Sequence, residues 1–282
     1  MNSTDRSKLP LTVSLLHGET ATSFTSRLAV RNGAKSTRSF CSDMGIDWRQ
    51  LKAGNEVTVR SIAQLGGVDE AILFQHTPEA LNEKSYRVGH VTIKTGAMSR
   101  KRLRYCPQCI QNDIEQRGMN GIYQRMRWQV SAFQTCDTHK CFMVEHPEKR
   151  EAGSVWDFSA QISDHLQKLE VVGLQNDNNV VSALEAYLME RVPKSEGNRW
   201  VDGLDHHVVA NTSIELGRLI EFGADRNQPQ FSQNELVRVR DIGFTVLLKG
   251  PEAFRRCLKE TKTAAQIKCK SQALFLAGFT SG

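Results

Sequence analysis

Residues 104–141 read RYCPQCIQNDIEQRGMNGIYQRMRWQVSAFQTCDTHKC. Cys106 and Cys109 form a C-x2-C pair, and after 26 intervening residues Cys136 and His139 form a C-x2-H pair. Two short-spaced pairs separated by a loop can set four donors at the corners of a tetrahedron. Thiolate sulfur and imidazole nitrogen are the donors that zinc prefers in that geometry. A closed set of four leaves no position for water, so the expected Zn2+ is structural rather than catalytic. Pro107 stiffens the turn that aims the first two sulfurs at one point, which argues against four unrelated side chains. Cys141 could replace His139 as a ligand, although the regular C-x2-H spacing favours His139.

Upstream, Arg100-Lys101-Arg102-Leu103-Arg104 runs directly into the first pair. A metal-held loop flanked by four cations is a sensible phosphate clamp; a solvated charge run is the alternative. Between the pairs, Ile110 to Gly118 reads as a short helix. Tyr123, Met126, Trp128 and Val130 read as an extended or helical segment that buries its aromatics beside the metal. On a strand, Arg125 and Arg127 would face away from Trp128. Charge is unevenly spread. Residues 1–150 hold 22 Lys and Arg against 14 Asp and Glu, whereas the remainder holds 15 against 17. Clustered cations attract phosphate and release its counterions. Arg100, Lys101, Arg102, Arg104, Arg125 and Arg127 are therefore the candidate nucleic-acid contacts. A solvated basic face, or a surface for an acidic protein, is the competing reading.

Towards the N-terminus, residues 1–10 read as a disordered tail, followed by an extended apolar piece, Leu11 to Leu16. Glu19 to Asn32 reads as a helix with Phe24, Leu28 and Ala21 inward and Gly33 just past its end. Arg27 on it is structural or partner-facing, not catalytic. Val59 to Leu73 fits a helix-turn-helix: Ala63 lets two helices approach, Gly67 takes the turn, and Val68, Ile72 and Leu73 lock the second helix. That helix would present Asp69, Glu70 and Gln75. Two acids are poor company for phosphates, so the unit is expected to be mainly a folding or protein-contact device, with direct DNA readout the lesser alternative. Tyr86 to Thr95 alternates as a strand closed by Gly96, with His90 on its solvent side rather than at the metal.

Residues 147–153 read as a linker, and beyond them the chain is helical and acidic. Helices are expected over 154–174, 180–192 and 207–222, from a Ser232/Glu235 capping box, and over 252–260 behind Pro251. The adjacent His206 and His207 point apart on a helix and do not make a joint site. Residues 273–279 are apolar and want burial, in their own domain or in a dimer contact. Seven cysteines, several of them metal-like, argue against a disulfide framework; Cys41, Cys257 and Cys269 read as plain buried thiols. There is no apolar run of transmembrane length and no signal-peptide core at the start, so a cytoplasmic protein with no membrane partner is expected. The fold class is mainly α: an N-terminal helical, helix-turn-helix-like domain (11–97), a small zinc-ribbon-like module (98–150) and a C-terminal helical domain (151–282).

Arg-Tyr-Cys-Pro-x-Cys at 104–109, the Trp128-Gln129 pair and Cys136-x2-His139-x-Cys141 resemble the zinc region of the TniQ family, the TnsD-related transposition-targeting proteins. Gly18-Glu19-Thr20, Ser23-Phe24 and Ser26-Arg27-Leu28-Ala29 are similar to the family's opening motif. The resemblance covers about residues 10–146, and a weaker patch lies at 243–258. It implies a non-enzymatic target-selection adaptor that recruits an AAA+ ATPase, and through it a transposase, to DNA. Some relatives bind a DNA site themselves; others ride as a dimer on an RNA-guided CRISPR effector complex. The little chain left after residue 153 favours the recruiter role, so homodimer, ATPase, transposase and CRISPR complex are the expected partners. The alternative is a sequence-specific DNA-binding regulator with a helix-turn-helix and structural zinc. A zinc deaminase is disfavoured, because Tyr105 rather than proline precedes Cys106 and a second ligand pair closes the metal to water. No phosphate-binding Walker loop is present.

Overall fold

The computed structural model describes residues 7–99, 102–145, 156–159, 161–162, 182–194, 197–223 and 231–261. The mainly α expectation holds. Contacts divide the chain into two units, Met1–Val181 with Met189–Ser195, and Ser182–Leu188 with Glu196–Gly282. Among the described residues no helix is long and apolar enough to cross a membrane.

The first unit begins with five helices: α1 (Ala21–Arg31), α2 (Thr37–Asp43), α3 (Trp48–Lys52), α4 (Glu56–Gly66) and α5 (Glu70–Gln75). Each N-terminus is capped by a short polar side chain: Thr20, Ser36, Asp47, Asn55 and Asp69. Such residues accept from the otherwise orphaned N–H groups of the first turn. Phe24, Leu28, Phe40, Leu51, Ile62 and Leu73 form the fully buried core that these helices share. The α4–α5 turn is made by Gly67 at φ 66°, in the left-handed region. Its neighbour Gly66 packs against the tip of the Phe24 ring, where a Cβ would stand 2.5 Å from Cζ. The helix-turn-helix-like shape thus serves the core. Asp69 is spent as the cap of α5, bonded to the N–H of Ala71 (2.8 Å) and of Ile72 (3.0 Å). Glu70 pairs with Arg60 at 3.1 Å.

An antiparallel three-stranded sheet follows, in the order β1 (Glu79–Asn82), β2 (Ser85–Val88), β3 (Val91–Lys94). The single strand expected over Tyr86 to Thr95 is instead a hairpin. Gly89, at φ 54°, reverses the chain so that Val88 pairs with Val91 and both are buried. His90 sits exposed in that turn, away from the cysteines. The remaining elements of this unit are β4 (Arg104–Tyr105), α6 (Pro107–Arg117) and β5 (Val144–Glu145), with β4 and β5 paired antiparallel. Asp157, Phe158 and Ser159, which follow the expected linker, also belong here. The Asp157 carboxylate accepts from the Ser26 hydroxyl (2.7 Å) and from the Thr37 N–H (2.9 Å) and hydroxyl (2.7 Å). Phe158 is fully buried, its ring centroid 5.9 Å from that of Trp128. The linker itself, residues 163–174 of the helix expected over 154–174, and the apolar end at 273–279 lie outside the described residues.

The second unit contains the start of α7 (Ala183–Arg191), then α8 (His206–Phe222), α9 (Gln233–Leu248) and a helix over 251–261. The Ser232/Glu235 capping box is formed, and Gly223 follows α8 as its cap. Asp241, on α9, caps α7 from across the unit, accepting from Ser182 and from the N–H groups of Ala183 and Leu184. Helices α8 and α9 cross at glycines. A Cβ at Gly217 would stand 1.8 Å from the Val239 carbonyl oxygen, and one at Gly243 would stand 1.9 Å from that of Ser213. Two helix backbones approach this closely only when no side chain intervenes. Gly243→Ala should therefore destabilise this unit by at least about 1–3 kcal/mol through overpacking. Gly203→Ala, where nothing lies within 4 Å of the added methyl, should be close to neutral. Chemical denaturation of both variants checks the pair, and equal stabilities would refute the close crossing.

Candidate metal centre

The donors come from two short turns. Cys106 is the N-cap of α6, Pro107 occupies its first position, and the Cys106 sulfur accepts from the Cys109 N–H at 3.4 Å. Proline suits this position because the first helical N–H has no intrahelical partner. The second turn is closed by Lys140 N–H to Cys136 O (2.9 Å) and Cys136 N–H to Cys141 O (2.8 Å), with Lys140 in the left-handed region at φ 54°. The β4–β5 pairing ties the chain just before the first turn to the chain just after the second.

Cys106, Cys109, Cys136 and His139 are brought together, with all four donor atoms within 4.8 Å of one another. His139 Nδ1 lies 3.5, 3.3 and 3.6 Å from the sulfurs of Cys106, Cys109 and Cys136, and the Cys109 and Cys136 sulfurs are 3.5 Å apart. The three thiols are buried and the imidazole is partly so. Cys141 is buried too, with its sulfur 3.5 Å from that of Cys106. His139 Nδ1 faces three sulfurs, whereas the Cys141 sulfur stands beside that of Cys106. Thiols packed this tightly cannot all ionise on their own. Hydrogen bonding to Cys109 and Cys136, together with burial, pushes Cys106 up, and Cys109 is pushed up to about 12. Cys136, which accepts hydrogen bonds from both, is held low. A metal cation resolves that repulsion by holding all the sulfurs as thiolates. The arrangement is compatible with a metal site.

Beyond α6 the chain between the pairs holds only short 3-10 turns, and several of its carbonyls accept from arginines. Arg104 donates to Val130 O (3.0 Å) and to Phe133 O. Arg127 donates to Thr135 O (2.9 Å) and pairs with Asp137 at 2.6 Å. Arg125 makes a bidentate pair with the buried Asp113 of α6 (2.9 and 3.0 Å) and stacks on Tyr123 and Trp128. The segment Met126–Gln129 is a 3-10 turn rather than a strand, and its three-residue period places Arg125 on the same side as Trp128, not opposite. Of the six cations read as nucleic-acid contacts, Arg104 and Arg127 are buried and Arg125 is mostly so. Each would have to abandon these partners to reach a phosphate. Arg102 is half-exposed and 3.4 Å from Glu145. Arg100 and Lys101 lie outside the described residues.

The centre is joined to α1 by a buried polar network that sequence reasoning missed. Arg27 donates to Glu19 (2.8 Å), Ser14 O (3.1 Å) and Asn120 O (3.2 Å). Ser23 donates to Glu19 (3.1 Å) and accepts from the Gln124 N–H (2.8 Å), while the Met126 N–H bonds Gly18 O (2.8 Å). Glu19 is fully buried. The available signal was the four-residue spacing of Glu19, Ser23 and Arg27, a polar face opposite Phe24 and Leu28. Cys41 is a buried core thiol pushed up to about 12 by desolvation.

A model of the TniQ family matches residues 10–143, a span that runs from the α1 network through the whole cysteine-histidine cluster. No curated protein matches the chain.

Burial pushes the Glu19 carboxyl up to about 7, against the opposing pull of Arg27 and the hydrogen bonds of Leu16 and Ser23. Between pH 4.5 and 7 the folded chain therefore holds a proton that the unfolded chain has lost, and stability falls as pH rises through that window. Between pH 5.5 and 8 the wild type should lose about 2 kcal/mol relative to Glu19→Gln. Denaturant midpoints of both proteins at the two pH values test this, and parallel profiles would show that Glu19 is ionised throughout.

Proposed function

We propose that this chain, which belongs to the TniQ family through its domain at residues 10–143, is a non-enzymatic target-selection adaptor for DNA transposition. The family is transposition-associated, and that membership is the observation that carries the reading. The adaptor recruits an AAA+ ATPase, and through it a transposase, to target DNA.

Structural Zn2+ at Cys106, Cys109, Cys136 and His139 is part of the proposal. Ligands about 2.0–2.3 Å from a tetrahedral ion stand about 3.3–3.8 Å apart. The contacts of 3.3 to 3.6 Å among these donors fit that edge length. Four protein donors close the coordination sphere, so the ion's contribution is folding energy rather than an activated water. Around it, Cys106 and Cys136 receive N–H bonds that stabilise thiolate, and Arg125 adds a positive charge beside Cys109.

DNA contact is proposed for the start of the basic run, Arg100, Lys101 and Arg102, of which Arg102 is exposed. Contacts of that kind position a protein on phosphate without reading sequence. The use of Asp69 as a cap and of Glu70 in an ion pair weighs against base readout by α5. Target choice is therefore proposed to come through a partner, an RNA-guided complex being one such route.

Two outcomes are expected. The purified protein carries close to one zinc per chain, and Cys136→Ser gives protease-sensitive protein with less metal. A stable, metal-free Cys136→Ser protein would remove the structural role. Binding to duplex DNA is weak, falls steeply between 50 and 200 mM salt, and drops further in the triple variant R100A/K101A/R102A, while the ATPase of the same element co-purifies. Tight, sequence-specific binding that survives added salt would make the chain a DNA-reading regulator instead.

A further inference from the structure

Asn112 projects from the middle of α6, one turn beyond Cys109. Its side-chain amide nitrogen lies 2.9 Å from His139 Nε2. The other ring nitrogen, Nδ1, is the atom that faces the three sulfurs. These two contacts constrain each other. A neutral imidazole carries one proton, and a nitrogen that binds a metal cannot also hold it. If Nδ1 is the ligand, the proton is on Nε2, and Nε2 must then face an acceptor. An amide NH2 cannot accept. Turned about its last bond, the same amide sets its carbonyl oxygen where the nitrogen stands, and the contact becomes Nε2–H to Oδ1 without movement of either backbone.

We propose that Asn112 is the outer-shell partner of the metal-binding imidazole: its amide oxygen accepts from His139 Nε2–H, fixes the tautomer and aims Nδ1 at the ion. This rests on the structural-zinc reading above. Metal-bound histidines generally give their second nitrogen to an oxygen acceptor, which orients the ring and raises its basicity. Here the need is sharper than at the cysteines. Cys106, Cys109 and Cys136 are buried and held by their turns, whereas His139 is the least buried ligand and follows the exposed Asp137 and Thr138. Its ring therefore depends on a partner from another element, and α6, which already supplies Cys109, provides one. Asn112 is exposed at mid-helix, so alanine there removes the acceptor with little effect on helix formation.

The test compares the wild type with N112A and N112D, each titrated with Zn2+ against a chromophoric chelator and examined by nitrogen-15 NMR of histidine. The wild type should show His139 protonated at Nε2 and bound through Nδ1. N112A should lose about 10–100-fold in zinc affinity while keeping its helical circular dichroism. N112D, whose carboxylate also accepts from Nε2–H, should retain at least wild-type affinity and the same tautomer. Wild-type protein that binds no zinc overturns the structural-zinc reading itself. Zinc-binding wild type with an unchanged N112A affinity, or with His139 bound through Nε2, overturns the role of Asn112 alone.

Discussion

Three thiols and an imidazole drawn to one point decide how the first unit is built. The two turns that carry them are 26 residues apart in sequence, and joining them forces the intervening chain into a loop around a centre too small to have a hydrophobic core of its own. Such a loop has two problems. Its carbonyls lack the ladder partners that long helices and strands supply, and its apolar side chains need something to cover them. Unpaired backbone groups away from water cost as much as a lost hydrogen bond, so both problems must be solved by residues from elsewhere.

Arginine solves the first. A guanidinium presents five N–H donors in a fixed plane, enough to reach several carbonyls at once. Arg104 spans Val130 and Phe133, and Arg27 spans Ser14, Asn120 and Glu19. Arg125 is held by Asp113 on one edge and covered by two aromatic faces. The basic character of this stretch is therefore in large part internal. The returning Phe158 answers the second problem by packing its ring beside that of Trp128, and α1 is hydrogen-bonded to the same loop at Asn120 and Gln124. This gives α1 two working faces. Phe24 and Leu28 belong to the helical core, while Ser23, Ser26 and Arg27 reach the loop and the Asp157 segment.

How much of this was legible in the sequence follows from the range of each interaction. The cysteine-histidine cluster was legible because two closely spaced pairs leave short fixed spacings. The α4–α5 turn at Gly67, the capping box at Ser232 and the glycine behind α8 were legible for the same reason, since each is settled within about four residues. The burial of Arg104 and Arg127 was not, because their carbonyl partners lie 8 to 29 residues away, beyond the reach of a local pattern. The hairpin within 85–94 was missed because alternation continues on both sides of Gly89, and only the turn tells two strands from one. The attachment of Asp157 to α1 and α2 runs across more than 100 residues and is invisible to any local pattern.

These arrangements bear on what remains for partners. A residue that carries a buried hydrogen-bond network cannot also be a free recognition group, because exposing it leaves both it and its former partners unsatisfied. Glu19, Arg27, Arg104 and Arg127 are therefore committed to the fold, and substitutions at them report on stability before they report on binding. By the same argument the surface available for recognition is found among groups whose removal leaves no orphan behind. Arg102, half-exposed and paired among the described residues with an equally exposed Glu145, is such a group, because a surface pair of this kind is worth about 0–1 kcal/mol. Giving up that pair would therefore cost the fold little.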